Sequence, residues 1–321
     1  MNRSEKLSLL AEVASMYYEQ NMTQSDIARK IFTSRSKVSR LIQQARDLGI
    51  VEIQIHYPGE RIGQLEKELS EIYGIEVIVL NSRSKSYEDT LSGVGNIAAE
   101  YIDNIIMPGM TIGMSWGQSI YHTVRALERG REVKLNVVQI IGAAGTQNPV
   151  WDAPDLIREF AKAYGGTFKQ INAPLYVEDD YVRDALLNDI GIKDTLNKAK
   201  NADLIITGIG SVGQQRVSST WEGYFSEKDI DLFMNKGAVG YLSAHFFDKE
   251  GKALDDVTNK RIIGLELEDI KKIPTVIGIA CGEMKAEAIK GALMGKLVNV
   301  LITDDVAANK ILESLRREAH V

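Results

Sequence analysis

"TSRSKVSRLIQQARDLGI", residues 33–50, decides how the rest of the chain is read. Val38, Leu41, Ile42 and Ala45 fall at i, i+3, i+4 and i+7, which predicts a helix with one narrow apolar face. At about 100° per residue, Ser36, Arg40 and Gln43 point the opposite way, with Lys37, Ser39 and Gln44 flanking them. Ser34 is placed to cap the start and Gly49 to end it. Such a face has hydrogen-bonding reach for base edges and phosphates, and almost no negative charge to repel them.

Working upstream, Thr23 with Asp26 is expected to cap a short helix whose apolar residues are Ile27, Ala28 and Ile31. Asn2 and Glu5 form a capping-box pattern for a first helix running to about Glu19. Two helices joined tightly by "FTSR" (32–35), the second with a polar cationic face, make a helix-turn-helix. Downstream, "IVEIQIH" (50–56) alternates apolar and polar residues as a wing strand would. The expected DNA-contacting set is Thr23, Gln24, Ser34, Arg35, Ser36, Lys37, Ser39, Arg40, Gln43 and Gln44, with Arg35 on phosphate. The rival reading is a plain three-helix packing module with a solvated charged face.

Charge supports the first reading. Between Thr23 and Arg46 stand six basic residues against one acid, a local +5. The whole chain of 321 residues has 38 Lys and Arg against 44 Asp and Glu, a net −6, so the remainder carries −11. One basic end on an acidic body suits a protein that meets a polyanion at that end only. The single cysteine, Cys281, excludes an intramolecular disulfide and a thiolate metal cluster. The amino-terminal stretch is broken by charge, unlike a signal peptide, and no apolar run approaches the roughly 18 residues of a membrane span. A cytoplasmic protein is expected.

From Ile75 onward the pattern changes to alternating strands and helices. Apolar runs lie at 75–80, 110–114, 135–141, 202–210, 237–247, 275–281 and 297–303, separated by amphipathic stretches such as 88–106 and 284–295. Strands apolar on both faces, alternating with helices, argue a mostly parallel α/β sheet covered on both sides. Residues 1–57 are thus read as a winged helix-turn-helix domain, and 75–321 as the effector domain. Between them, Ile62, Leu65, Leu69 and Ile72 form a heptad-like stripe in 58–74. It fits a linker helix that pairs with a second copy, and equally one that docks on its own domain.

Several stretches together resemble the SorC family of bacterial transcription regulators, the sorbitol-operon type. They are "YYEQNMTQSDIARKIFTSRSKVSRLIQQARDLGIVEIQI" (17–55), "PGMTIGMSWGQSI" (108–120), "ADLIITGIGSVG" (202–213) and "TVIGIACGEMKAEAIKGALMGKLVNVLITDD" (275–305). The resemblance spans essentially the whole chain. It implies a Rossmann-like sheet similar to sugar-phosphate isomerases, a sugar or sugar-phosphate effector, double-stranded operator DNA as partner, and no cofactor.

In such sheets ligands sit beyond the carboxyl ends of strands. The first candidate is "GMSWGQS" (113–119): Gly113 and Gly117 allow close backbone approach, Ser115 and Ser119 add hydroxyls, and Trp116 and Gln118 complete the turn. Amides opening the next helix there suit a phosphate, although an ordinary strand-to-helix turn reads the same way. "GIGSVG" (208–213), with Gly208 and Gly210, satisfies a dinucleotide pattern, but no amphipathic helix follows directly and no acid ends the next strand. It is read as a loop lining the same pocket. In "ACGEMKAEAI" (280–289), Glu283 is expected at a sugar hydroxyl and Lys285 at a phosphate, the alternative being a surface lysine. Gly142, in "GAAGTQNP" (142–149), is expected to close the pocket. Asp248 bonds sugar hydroxyls or simply caps a turn.

An isomerase- or deaminase-like enzyme fused to a DNA-binding domain is the alternative. It needs a positioned proton-transfer group. None of His56, His122, His245 and His320 lies in the glycine loops, although His245 is expected at a strand end, and no metal-ligand spacing occurs. The reading is a non-enzymatic, sugar-controlled regulator of a carbohydrate operon, acting as a homo-oligomer.

Overall fold

The computed structural model describes residues 3–51, 60–82, 86–127, 131–144, 153–213, 221 and 224–318. The chain divides into two compact units, Met1–Tyr57 and Pro58–Val321.

Among its described residues the first unit holds three helices, α1 (Arg3–Tyr18), α2 (Gln24–Lys30) and α3 (Arg35–Asp47). Leu10, Val13, Met16, Ile27, Val38 and Ile42 form its small core. Thr23 accepts the Asp26 amide at the start of α2, and Ser34 accepts the Lys37 amide at the start of α3. The expected wing (50–56) and the capping residue Asn2 lie outside the described residues, save Ile50 and Val51 of the wing.

The second unit is built on nine strands: β1 (Glu76–Leu80), β2 (Thr111–Met114), β3 (Asn136–Gln139), β4 (Thr167–Lys169), β5 (Leu204–Ser211), β6 (Gly240–Leu242), β7 (His245–Phe247), β8 (Thr275–Ile279) and β9 (Val300–Asp304). Seven of them form a parallel sheet in the order β1-β9-β8-β5-β2-β3-β4. Apart from β4, their side chains are mostly buried on both faces, as the continuous apolar runs require. The helices between them are α4 (Gly63–Tyr73), α5 (Tyr87–Ile105), α6 (Gln118–Ala126), α7 (Ala153–Ala163), α8 (Asp180–Asn188), α9 (Ile190–Lys200), α10 (Glu227–Asn235), α11 (Leu267–Ile270), α12 (Ala286–Met294) and α13 (Asp305–Glu318).

From β2 the chain passes to β3 and β4 on one side, then returns to place β5 on the other side of β2. The strand order reverses between β2 and β5, where open α/β sheets form their ligand crevice.

One expectation needs correction, and one open choice is decided. The 237–247 run is not one strand. It is the antiparallel hairpin β6–β7, turned by Ser243 (φ 45°) and Ala244 (φ 66°), the paired left-handed residues of a tight hairpin. An unbroken apolar run hides such a turn because neither residue is Gly or Asn. The hairpin pairs with the last three residues of β5, which therefore changes partners along its length. Of the two placements the sequence left open for the 60–74 stripe, docking on its own domain is the one seen. Leu69 is fully buried in the large core and Ile62 and Leu65 pack against it, while Ile72 stays exposed.

The two sheet edges differ. Beside β1, the Ile62 amide donates to the Val79 carbonyl (2.9 Å) and the Asn81 amide to the Glu60 carbonyl (2.7 Å). The Glu66 carboxylate of α4 accepts the Val79 amide at 3.0 Å. The other edge, β4, is three residues long and wholly exposed, and Lys169 on it pairs with Asp194 of α9.

Candidate functional site

In the first unit, the back of α3 is buried through Val38, Leu41, Ile42 and Ala45. Ser34, Arg35, Ser36, Lys37, Ser39, Arg40, Gln43 and Gln44 are all exposed, as is Thr23, while Gln24 is half-buried. Some of these groups have local partners. The Thr23 and Ser34 hydroxyls serve the helix caps, and Gln43 donates to Asp47 at 2.8 Å. Asp26, the one acid of the basic segment, is neutralised by Arg29, and the Thr23 and Arg29 hydrogen bonds hold its pKa below the usual carboxylate value.

In the second unit, the candidate loops gather beyond the carboxyl ends of β2, β5, β8 and β9. Ser115 ties β2 to β5: its amide donates to the Ile206 carbonyl (3.1 Å) and its hydroxyl accepts the Gly208 amide (3.4 Å). Gly117 adopts φ 122° at the start of α6, which has no side-chain cap, and open space lies where its Cβ would stand. Gln118 is half-buried and Ser119 buried in the first turn of that helix.

Other expected members are framework. A Cβ on Gly113 would stand 2.9 Å from Ile140 and from Ile205, so that glycine is needed for packing within the sheet. On Gly142 it would meet the Pro174 carbonyl at 2.4 Å, and on Gly210 the Tyr241 ring at 2.0 Å. Trp116 is buried, and its indole N–H donates to the Gly142 carbonyl at 2.9 Å, binding the β2 loop to the β3 loop. Asp248 accepts the amides of Glu250 (3.0 Å) and Lys252 (2.9 Å), which makes it a turn cap. Glu283 is exposed and paired with Lys310 of α13 at 2.7 Å.

Lys285 differs from the surface lysine of the sequence reading. It ends the 3₁₀ turn Glu283–Lys285 ahead of α12, and its Nζ donates to the Ile209 carbonyl of β5 at 3.0 Å. No carboxylate pairs with it among the described residues. Burial holds its pKa below the ordinary 10.5, an effect that the nearby Cys281 opposes. Burial also pushes the Cys281 thiol up to about 12. A half-buried ammonium with no carboxylate partner interacts more strongly with an anion that reaches it than an exposed one does.

Two residues were missed. Asp304, at the end of β9, is buried and accepts the amides of Gly282 (2.8 Å) and Ala307 (3.3 Å), fixing the loop that carries Lys285. Burial raises its pKa, and those amides oppose the rise. Its "TDD" at a strand end was visible in the sequence. Tyr87, in the first turn of α5, packs its ring against Gly282. Nothing in its local sequence marks it, because the contact spans almost two hundred residues.

The described histidines are committed elsewhere. His245 begins β7 rather than ending a strand; its Nδ1 meets the Ser243 carbonyl at 2.9 Å. Its Nε2 stands 3.1 Å from a Glu266 carboxylate oxygen. His122, in α6, faces Glu88 at 3.2 Å, and burial lowers its pKa. His56 and His320 lie outside the described residues. Among the described residues, no His, Cys, Asp or Glu group is arranged to hold a metal, and no helix is long and apolar enough to cross a membrane.

Comparison with known proteins adds three findings. Residues 58–313 match the family described as "Putative sugar-binding domain". The chain is 30% identical to the deoxyribonucleoside regulator of Bacillus subtilis (strain 168), over 97% of this chain and 99% of that one. It is 28% identical to the sorbitol operon regulator of Klebsiella pneumoniae, over 98% of this chain and all of the relative. The crystal structure of the full-length Klebsiella pneumoniae sorbitol operon regulator superposes with a TM-score of 0.73 at 28% identity, covering 96% of this chain and 99% of that one.

Proposed function

The chain belongs to the sugar-binding domain family that its second unit matches, and from that premise we propose that it is a DNA-binding transcriptional regulator of a carbohydrate-utilisation operon, controlled by a small phosphorylated sugar. One observation carries the reading. A single chain joins the exposed, acid-poor face of α3 to a parallel sheet with a half-buried lysine beyond its carboxyl edge, one without a carboxylate partner among the described residues. The relatives named above, matched over nearly their whole length, are named as regulators.

In this reading the first unit is a winged helix-turn-helix, with the alternating 50–56 stretch as its wing and α3 in the major groove. Ser36, Lys37, Arg40 and Gln43 meet base edges and Arg35 a phosphate. The effector domain binds its sugar between the β2, β5 and β8 loops, with the α6 amides and Lys285 on the phosphate. A sugar that prefers one arrangement of the domain over another changes DNA affinity by that difference. The protein acts in the cytoplasm, without enzymatic turnover or cofactor.

It works as a homo-oligomer, since two copies are needed to read a two-part operator. The α4 stripe is engaged in its own core. Tyr181 of α8 and Ile190 of α9 are 82% and 87% exposed, which supports association through the second unit. Sedimentation at micromolar concentration checks this, and a monomer with and without DNA removes it.

The test of the whole reading has two arms. The intact chain is allowed to select a duplex from a randomised pool, and sugar phosphates and their plain parents are screened for a change in that binding. Selection of a duplex released or tightened by a phosphorylated sugar is expected. Turnover of those sugar phosphates would favour the enzyme instead.

A further inference from the structure

The helices of the first unit end differently. α1 is followed by Asn21 at φ 52°, α3 by Gly49 at φ 68°, and α2 by Phe32 at φ 51°. α2 and α3 close with the same pair of hydrogen bonds. The Thr33 amide donates to the Ala28 carbonyl (2.9 Å) and the Phe32 amide to Arg29 (3.4 Å). At the end of α3, Ile50 donates to Ala45 (2.9 Å) and Gly49 to Arg46 (3.0 Å). This closure places one residue in the left-handed region, where Gly is favoured, Asn is tolerated and a bulky side chain is strained.

Phe32 receives no packing in return. It is 96% exposed, more than any other large apolar residue described. A strained backbone therefore holds an aromatic ring out in water. Exposed Arg29, Lys30, Arg35 and Lys37 surround it in sequence, and the only acid of the segment, Asp26, is already taken by Arg29. A cationic rim disfavours a purely apolar protein groove and suits a polyanion. Between its phosphates, duplex DNA offers deoxyribose rings and thymine methyls to an aromatic side chain.

We propose that Phe32 is a DNA-contacting residue, pressing its ring against the duplex beside the footprint of α3. The inference rests on the DNA-binding reading above and adds an apolar contact to its polar ones.

The test uses the full chain and the duplex that the wild type selects from a randomised pool. Phe32→Asn, whose residue tolerates the left-handed turn, should fold at least as stably yet bind that duplex about tenfold more weakly, the scale of losing one buried ring. Phe32→Tyr should bind within about twofold of wild type, since the ring is kept. The slope of log affinity against log salt should be unchanged in Phe32→Asn, because the ring neutralises no phosphate. Wild-type affinity in Phe32→Asn, or a shallower salt slope, overturns the assignment. So does a change in sedimentation without a change in DNA affinity. If the wild type selects no duplex, or Arg40→Ala leaves selection untouched, the DNA reading itself falls. Loss in Arg40→Ala with none in Phe32→Asn removes the Phe32 contact alone.

Discussion

The two candidate binding surfaces hold positive charge in opposite ways. On α3, cations and amides are spread over an exposed face. Beyond β5, one ammonium is drawn in from solvent on a half-buried side chain and bonded to a backbone carbonyl. Exposed charges are screened and weak singly, so a surface that meets a polymer of phosphates works by number. An enclosed charge is costly to keep and strong toward one partner, which suits a small ligand. The contrast predicts graded losses on α3 and a single large loss at Lys285.

The largest effect should come from Lys285→Ala. At about 100 times its dissociation constant a ligand stabilises by roughly 2.7 kcal/mol, and the variant should lose most of that stabilisation for a phosphorylated sugar in a thermal-shift titration. A wild-type shift in the variant would end the contrast. pH sharpens the same point. Because the folded pKa of Lys285 lies below 10.5, the anion-binding form is lost as pH rises through that lowered value. Sugar-phosphate affinity should therefore fall on the way up to 10.5, and the fall should be absent in Lys285→Ala.

Next in size is Gly142→Ala, whose Cβ would press on the Pro174 carbonyl. A loss of about 1–3 kcal/mol in unfolding free energy is expected, with retained affinity in whatever protein stays folded. Arg40→Ala should cost about 1–3 kcal/mol on the selected duplex and relax preference at one base pair. Arg35→Ala should weaken all duplexes alike and reduce the salt slope by about one. Smallest is Glu283→Gln. Its exposed pair with Lys310 is worth about 0–1 kcal/mol, and sugar affinity should barely move.

The sequence was most legible where structure repeats. The 3.6-residue period and capping residues located α2 and α3, and continuous apolar runs located six of the seven parallel strands. β4 was missed because three exposed residues carry no apolar run. The β6–β7 turn was missed because Ser243 and Ala244 adopt a conformation usually signalled by glycine. Within the site, "GMSWGQS" was found as a unit, but sequence cannot say which of its glycines faces open space and which faces the core. Gly117 and Gly113 separate only when their neighbours are known. That Lys285 reaches back to β5 was not legible in the sequence, because its carbonyl partner lies 76 residues away.

The unequal edges of the sheet restrict how copies of this protein can assemble. The β1 edge is already occupied by the chain's own Glu60–Ile62 segment and by the Glu66 carboxylate. Of the two edges of the seven-stranded parallel sheet, β4 is the one left open among the described residues. Two copies joined there would meet like to like about a two-fold axis, a closed contact that uses the β4 edge of each partner. A head-to-tail continuation of this sheet would need the β1 edge as well, and that edge is covered.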